Sequence, residues 1–413
     1  MELLHPCCCG LDVHQQSVVA CLIQTDPDGH RTKEFRTFGT TTADLLQLAD
    51  WLREATCSQV AMESTGVYWK PVYNVLEGQC TLLVANAQHV KGLPGRKTDI
   101  QDCEWIADLF QHGLLRPSFI PDRAQRELRD LTRTRTTLTD ERSRTVQRLQ
   151  KVLEDANIKL ASVASDVTGV SARQMLAALV AGTTDPATLA ELAKGRLRTK
   201  REALARALSG RLREHHRSLI SMHLEHIDFL DEQIAQLSER IADQLRPFES
   251  ILLRLQTIPG VGRRIAEIIA AEIGCDMSHF PTAGHLASWA GICPGNHETA
   301  GKRRSGKTRR GSKWLQRALY EAAQAAGRSK KGGFLARQYH RIRGRAGRKV
   351  AAGAVAHTIL ITSYYLLTRH EVYHDEVPAQ FQQRHHDHLR DRAIKQLQAL
   401  GYEVSAVPKT SAA

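Results

Sequence analysis

The sequence predicts three parts: an α/β domain at the N-terminus, a central helical coiled-coil region and a mostly α-helical domain at the C-terminus. Short apolar segments of strand length alternate with helical patterns up to residue 115. Apolar residues then recur at helical spacing as far as residue 247. A chain of 413 residues is also too long for one ordinary core. The predicted divisions are residues 5–120, 121–250 and 251–370, followed by a peripheral tail at 371–413.

The order of elements in the first part indicates a particular kind of sheet. We predict strands at Cys7–Asp12, Ser17–Gln24, Lys33–Phe38, Gln59–Met62 and Thr81–Ala85, and helices at Thr42–Ala55, Val67–Glu77 and Asp99–His112. Three early strands followed by alternating helices and strands are the order expected for a ribonuclease H-like (RNase H-like) sheet.

The central region reads as long helices. Residues 122–160 are highly charged and predict one long helix, residues 161–210 predict short helices with turns, and residues 211–247 predict a second long helix. In the last of these, apolar residues recur at spacings of three and four, at Ile227, Leu230, Ile234, Leu237, Ile241 and Leu245. This pattern is typical of a coiled-coil seam, and the pairing could lie within one chain or between chains.

Charge and composition restrict the classes of partner. Lys and Arg total 57 against 44 Asp and Glu, a formal net charge of +13, which favours nucleic acid as the partner. The apolar stretch Val350–Leu367 is interrupted by Gly353 and His357, so we expect a buried helix and no membrane partner. The chain starts without a signal-peptide pattern, and its nine cysteines include no CxxC pair, which indicates a cytoplasmic location.

Four acidic residues of the first part form a candidate metal site. Asp12 and Glu63 each end a predicted strand, and Asp99 and Asp102 lie one turn apart on a predicted helix. Carboxylates placed in this way can hold two Mg²⁺ ions, which stabilise the attacking and leaving oxygens of a phosphodiester exchange. Each acid alone is more typical of a turn or a helix cap, and Asp99 could simply cap its helix. The combination in one α/β domain favours a metal site, and both interpretations stay open on these residues alone.

A glycine-containing turn in the third part could hold a phosphate. Residues 258–262 read I-P-G-V-G and are followed by Arg263 and Arg264. Gly260 and Gly262 permit a tight turn whose N–H groups could face a phosphate at a helix N-terminus. This is the pattern of a helix-hairpin-helix element, which binds the DNA backbone without reading bases. The alternative is an ordinary turn between two helices.

The segment Gly301–Lys313 carries seven basic residues and no acidic ones. Such a run is usually a solvated loop, but its glycines also allow close approach to a nucleic-acid backbone. The cations predicted to bind there are Lys302, Arg303, Arg304, Lys307, Arg309 and Arg310. Two hydroxyls, those of Thr299 and Ser305, lie in this field and could attack a phosphodiester while the cations stabilise the transition state.

Together these residues resemble the transposases of the insertion sequence 110 family, including its 1111 subgroup. The matching N-terminal motifs are G-L-D-V-H at 10–14, M-E-S-T-G-V-Y-W at 62–69, K-T-D-I-Q-D at 97–102 and W-I-A-D-L at 105–109. The matching C-terminal motifs are I-P-G-V-G at 258–262 and the run from Ala287 to Gly311. The resemblance covers roughly residues 5–370 in the family's order, and the acidic domain looks like the family's DEDD, RuvC-like domain.

The resemblance implies a mechanism that composition does not show. Asp12, Glu63, Asp99 and Asp102 would be the acidic set that binds Mg²⁺. The C-terminal domain would supply a serine-recombinase-type nucleophile that forms a covalent link to DNA. The family's serine falls at position 299, where this chain has Thr299, so we take Thr299 as the nucleophile and Ser305 as the alternative.

The resemblance also implies partners and a location. A structured non-coding RNA, the bridge RNA, would pair with donor and target DNA. The chain would act as a homo-oligomer, a tetramer built from dimers, in the bacterial cytoplasm and associated with the nucleoid.

Two other classes of protein fit the same residues. The first is a structure-specific nuclease, such as a Holliday-junction resolvase, that uses the acidic domain alone. The second is a nucleic-acid-binding protein without catalysis, in which the acids are structural. A covalent protein–DNA intermediate separates the recombinase from the nuclease. Binding that needs no metal, without any strand cleavage, would favour the nucleic-acid-binding protein without catalysis.

Overall fold

A computed structural model describes residues 3–63, 66–85, 99–293, 297–299, 302–305, 308, 310–330 and 332–375, with short pieces at 390, 394, 396–398 and 401–404. For residues 99–101, 297–299 and 302–305 only the main chain is described. The chain divides into two compact units, Met1–Pro121 and Asp122–Ala413. The finer divisions at residues 250 and 370 stay predictions.

The first unit is built on a mixed five-stranded sheet in the order β3-β2-β1-β4-β5. Its strands are β1 (Cys7–Val13), β2 (Ser17–Thr25), β3 (Arg31–Gly39), β4 (Gln59–Glu63) and β5 (Thr81–Ala85). Strands β1, β2 and β3 pair antiparallel, whereas β4 and β5 run parallel to β1. The predicted strands and the N-terminal α/β domain are confirmed, and the RNase H-like and RuvC-like assignment stays a prediction.

Helices cover both faces of this sheet. They are α1 (Thr42–Glu54), α2 (Trp69–Leu76) and α3 (Asp99–Gln111). Successive strand residues point to opposite faces, so Cys9 joins the core beneath α1 and α2 while Cys8 joins the core beneath α3. Helix α1 begins at a capping box, in which the Thr41 hydroxyl accepts from the Asp44 amide and the Asp44 carboxylate accepts from the Thr41 amide.

Gly10 allows α3 to lie directly on β1. A Cβ atom at Gly10 would overlap the main-chain oxygen of Cys103 and would lie 2.5 Å from the main-chain nitrogen of Ala107. The Cys8 thiol bonds the Ala107 carbonyl at 3.7 Å. The helix therefore runs antiparallel to the strand, and its N-terminal turn lies toward the carboxyl end of β1.

Replacing Gly10 by Ala should destabilise the first unit by about 1–3 kcal/mol, because main-chain atoms of α3 leave no room for a methyl group. Denaturant unfolding measures this change. Gly344→Ala is the control, since no atom lies within 4 Å of a Cβ there, and removing a helical glycine should stabilise by up to about 1 kcal/mol. Equal effects of the two variants would contradict the close packing of α3 on β1.

The second unit contains two long helices, α4 (Arg123–Asp155) and α9 (Glu214–Leu245), that pair antiparallel within the chain. Arg142 of α4 forms an ion pair with Asp231, and Asp155 at the end of α4 bonds His216 at the start of α9. The predicted seam lies in this pairing: four of its six positions are buried and the central Ile234 and Leu237 are half-buried. The predicted coiled-coil seam of α9 thus packs against α4 of the same chain.

Short helices pack against these two long ones. They are α5 (Leu160–Val163), α6 (Val170–Val180), α7 (Pro186–Glu191), a 3₁₀ helix (Gly195–Lys200) and α8 (Arg201–Leu208). One apolar cluster joins their buried residues to those of α4 and α9, for example Leu176 and Leu204 to Leu149 and Ile220. The predicted short helices of residues 161–210 are confirmed.

The rest of the second unit is mostly helical, as predicted. Its elements are a 3₁₀ helix (Arg246–Phe248), α10 (Glu249–Gln256), α11 (Arg263–Ile273), α12 (Ala283–Trp289), β6 (His297–Thr299), β7 (Lys302–Ser305), α13 (Lys313–Gly327) and α14 (Phe334–Arg369). Two features were not predicted. Strands β6 and β7 form a small antiparallel hairpin, and α14 is interrupted at Gly347, whose φ is +83°.

Helix α14 is a core helix of this unit. Within the described ranges it is the one helix whose length and apolar composition would suffice to cross a membrane, and 56% of its most apolar window is buried. Its buried residues include Val355, Ile359 and Leu360. Its Tyr364 hydroxyl donates to the carbonyl of Phe280 at 2.9 Å. This packing agrees with the predicted buried helix.

Candidate active site and nucleic-acid interface

Asp12 and Glu63 lie at the carboxyl ends of two neighbouring parallel strands. The register of β1 and β4 pairs Leu11 with Met62, and Asp12 and Glu63 are the next residues on each strand. Adjacent strands lie about 4.8 Å apart, so both acids stand at the same edge of the sheet. Leu11 and Met62 belong to the core beneath α1 and α2. Strand alternation therefore directs Asp12 and Glu63 to the opposite face, which α3 covers.

Helix α3 brings Asp102 to the same edge. Cys103 lies over Gly10, and Asp102 precedes it in the N-terminal turn, so Asp102 stands near the end of β1. A hydrogen bond with Cys21 and burial raise the pKa of the Cys103 thiol, and the nearby charge of Asp12 raises it further. The backbone places Asp99 one turn before Asp102, and its side chain lies outside the described residues.

Ion pairs hold α3 in this position. Lys33 of β3 pairs with Glu104, and Arg31 pairs with Asp108 one turn later. Both pairs lie on the same side of the helix, because residues 104 and 108 are one turn apart. They attach α3 to the edge strand β3, while Gly10 fixes its depth on β1.

His14 is a site residue to which the sequence reasoning assigned no role, although it belongs to the motif at 10–14. Its Nε2 lies 3.0 Å from Oδ2 of Asp12. The Asp12 side chain is 14% exposed and that of His14 is 44% exposed. An Nε2–H at this distance orients the carboxylate. The signal in the sequence was the spacing of two residues, which places both side chains on one side of an extended chain.

Another cluster of potential metal ligands has a different explanation. Among the described side chains, Asp155, His215 and His216 are the group whose ligand atoms all lie within 4.8 Å of one another. The Arg213 amide donates to Nδ1 of His216 at 3.1 Å, so the ring hydrogen sits on Nε2 and is donated to Asp155 at 2.8 Å. That bond lowers the pKa of Asp155. The cluster caps α9 and ties it to α4, and its Nε2 has no lone pair free for a metal.

The two glycines of the predicted phosphate-binding turn have different surroundings. Gly260 has a φ of +91°, and a Cβ there would overlap the main-chain oxygen of Ala322 in α13, so this glycine is needed for packing. Gly262 is the N-cap of α11, and a Cβ there would meet nothing within 4 Å. The N-terminus of α11 is therefore open to a ligand at Gly262.

The two arginines after this turn also differ. Arg263 bonds Glu267 at 2.8 Å and pairs with Glu249, and these carboxylates raise its pKa. Its guanidinium therefore holds α10 to α11. Arg264 is exposed and lies beside Trp314 and Arg317 along a shallow cleft. Of the pair, Arg264 is the better placed to meet a phosphate.

The hydroxyl candidates lie on the unpredicted hairpin. Its register pairs Thr299 with Lys302 and His297 with Ser305, so the two hydroxyl residues occupy different positions along the ladder. The side chains of both, and those of Lys302, Arg303 and Arg304, lie outside the described residues, as do Lys307 and Arg309. Arg310 is exposed. Gly311 then packs against the end of α12, where a Cβ would overlap the carbonyl of Ala290.

Two parts of the chain match known protein families. A family model described as transposase, of the DEDD IS110 type, matches residues 9–158. A second, described as transposase IS116/IS110/IS902 family, matches residues 253–340. The transposase for insertion sequence element IS1328 of Yersinia enterocolitica is 31% identical over 109 residues. An uncharacterized 43.6 kDa protein of insertion element IS110 from Streptomyces coelicolor is 37% identical over 110 residues.

The alignments with these two relatives are partial. Each alignment covers 26% of this chain, and they cover 32% and 24% of the two relatives, less than two thirds of either. The first family match contains all four predicted acids, and the second contains the glycine turn and the basic segment. The chain therefore contains two regions that match IS110-type transposase models, and the first of these regions extends through helix α4.

Proposed function

We propose that this chain is the transposase of an insertion sequence, an enzyme that cuts and exchanges DNA strands. What supports this proposal most is that Asp12 and Glu63 are neighbours at one sheet edge and Asp102 lies in the N-terminal turn of the helix that covers this face, inside the region that matches a DEDD transposase model. The net charge of +13 and the basic segment of the second unit suit a DNA substrate.

The acidic edge fits a hard divalent cation, and we assign Mg²⁺ to it. Asp12, Glu63, Asp99 and Asp102 would hold the metal, since carboxylate oxygens are the ligands that Mg²⁺ prefers. When bound, the metal neutralises charge that develops on the phosphate and activates the attacking oxygen. The chain's own contribution is placement: His14 orients the Asp12 carboxylate, and Gly10 lets α3 bring its acids close to β1.

The second proposed component is a covalent step on Thr299. Its hydroxyl oxygen forms a bond to phosphorus while the bond from phosphorus to one deoxyribose oxygen breaks. The hydroxyl loses its proton, and the departing oxygen takes one up. The number of phosphodiester bonds is conserved, so the reverse step can reseal a new partner strand without another energy source. The cations of residues 302–310 would stabilise the pentavalent transition state.

The partners and location follow from the resemblance to the insertion sequence 110 family. We propose that a structured non-coding RNA guides the enzyme to donor and target DNA, and that copies of the chain assemble as dimers and tetramers. The proposed location is the bacterial cytoplasm, at the nucleoid. The positive net charge of the chain favours binding of both DNA and RNA, since both are polyanions.

A covalent adduct is the direct test. The protein is incubated with Mg²⁺, the element's ends and the adjoining transcript, and the protein–DNA adduct is mapped by peptide analysis. We expect the adduct on Thr299, lost in Thr299→Ala and retained in Thr299→Ser. An adduct on Ser305 would keep the recombinase and move the nucleophile. Mg²⁺-dependent nicking without an adduct would instead indicate a nuclease that uses the acids alone. The absence of both the adduct and the nicking would contradict the proposed function.

A further inference from the structure

The second unit contains a basic cavity that is separate in sequence from the segment 301–313. The cavity has a volume of about 340 Å³ and lies between the end of α13 and the first half of α14. Its lining includes Arg328, Lys330, His340, Arg343 and Arg348, and none of the described residues that line it is acidic. All five of these side chains are exposed to solvent.

The charge of this cavity is not neutralised locally. The sequence has no Asp or Glu from residue 322 to residue 370. Several arginines elsewhere in the unit pair with carboxylates, as Arg317 pairs with Asp140 and Glu321. Across the stretches that the structure describes, none of the four Arg and Lys side chains of the cavity forms an ion pair. Four like charges around one space therefore favour an anionic occupant.

The interruption of α14 brings two of these cations together. Residues 343 and 348 of a straight helix would point about 140° apart, because the helix turns about 100° per residue. Gly347 adopts a φ of +83° and a ψ of 170°, so the helix axis breaks between them. Arg343 and Arg348 then line the same cavity. A residue with a Cβ would be strained in this conformation, so glycine is the residue that permits the arrangement.

We infer that this cavity binds a phosphate group of a nucleic-acid backbone, at a site not included among the predicted contacts. The inference rests on the proposed function in that it takes nucleic acid as the substrate. Guanidinium groups match phosphate oxygens in a bidentate geometry, and the Lys330 ammonium adds a mobile charge. Of the two lining rings, that of Tyr339 is 6% exposed and offers no face for stacking a base, whereas that of His340 is exposed and can donate to a phosphate oxygen. The site therefore contacts backbone and reads no sequence.

The test is the salt dependence of binding by an Arg343→Gln, Arg348→Gln double variant of the full chain. Fluorescence anisotropy is recorded with a labelled DNA duplex and with an RNA duplex of the same sequence, in EDTA so that no strand chemistry occurs. We expect affinity to fall about tenfold for each lost contact. The slope of log affinity against log salt should decrease in magnitude by about two for DNA.

A charge-matched control separates a site from general attraction. Arg196→Gln, Arg198→Gln removes the same charge from two exposed residues on the 3₁₀ helix of the same unit, and it should leave both affinity and slope unchanged. A loss with DNA alone or RNA alone would identify the source of the phosphate. Wild-type affinity and slope in the cavity variant, or equal losses in both variants, would overturn the site. Failure of the wild-type chain to bind either duplex would overturn the proposed function as well.

Discussion

Replacing Asp12 by Asn should reduce strand cleavage by at least about a thousandfold. Asp12 stands at the end of β1 beside Glu63 and on the face covered by α3, and its side chain is 14% exposed. Asn has almost the same shape but lacks the negative charge that holds a cation. Without the charge of the metal, the activation free energy of cleavage rises by several kcal/mol. Each 1.36 kcal/mol lowers the rate tenfold. Nicking of labelled element ends with Mg²⁺ measures the rate.

Matched variants identify the origin of this loss. Glu63→Gln and Asp102→Asn should behave like Asp12→Asn, because the backbone places all three acids at the same edge of the sheet. His14→Ala should reduce cleavage by a smaller factor, about ten- to a hundredfold, since it orients a ligand without being one. Asp28→Asn is the control, because Asp28 is an exposed acid in the turn between β2 and β3. Full cleavage by Asp12→Asn would refute the proposed metal site.

Replacing Glu272 by Ala should destabilise the second unit by about 3–5 kcal/mol. The Glu272 side chain is 1% exposed and accepts two bonds from Arg133 of α4, at 2.7 and 2.9 Å. It also accepts a bond from the hydroxyl of Ser312, the N-cap of α13, at 2.8 Å. One buried carboxylate thus joins α4, α11 and α13. Its removal leaves the Arg133 guanidinium, itself 29% exposed, without its partner.

An exposed ion pair provides the comparison. Asp231→Ala breaks the pair with Arg142, whose side chain is 30% exposed while that of Asp231 is 48% exposed. Solvent screens such a pair, so the expected cost is below about 1 kcal/mol. Urea unfolding of both variants, followed by circular dichroism, gives the two free energies. If Glu272→Ala cost no more than Asp231→Ala, then Glu272 would not be the link between these three helices.

Much of the first unit could be predicted because its elements have strong local patterns. Strands β1, β2 and β3 contain apolar or alternating runs, and α3 has an apolar face, so their bounds were predicted to within one or two residues. The positions of Asp12 and Glu63 at strand ends followed from the same runs. His14 was not assigned a role, because its contact with Asp12 depends on the side-chain geometry after β1.

The second unit was harder to predict at its functional positions. The hairpin β6–β7 is only three and four residues long, and its glycine-rich, basic sequence has no apolar alternation. The interruption of α14 was also missed, since one glycine between two helical patterns leaves the apolar periodicity almost unchanged. The ion pairs of Arg263 with Glu249 and Glu267 depend on how α10 and α11 pack against each other, which the sequence pattern does not show. The basic cavity depends in turn on the break at Gly347.

The amino-acid sequence by itself determined the local elements, the net positive charge and the order of acidic, helical and basic regions, because these depend on neighbouring residues and on composition. Only the tertiary structure decided which distant residues meet. The pairing of β1 with β4 puts Asp12 beside Glu63, and the pairing of α4 with α9 satisfies the coiled-coil seam within the chain. Gly347 joins Arg343 and Arg348 in one cavity. Such contacts arise from packing between segments far apart in the chain, and a periodic pattern shows that a face is buried without naming the partner that buries it.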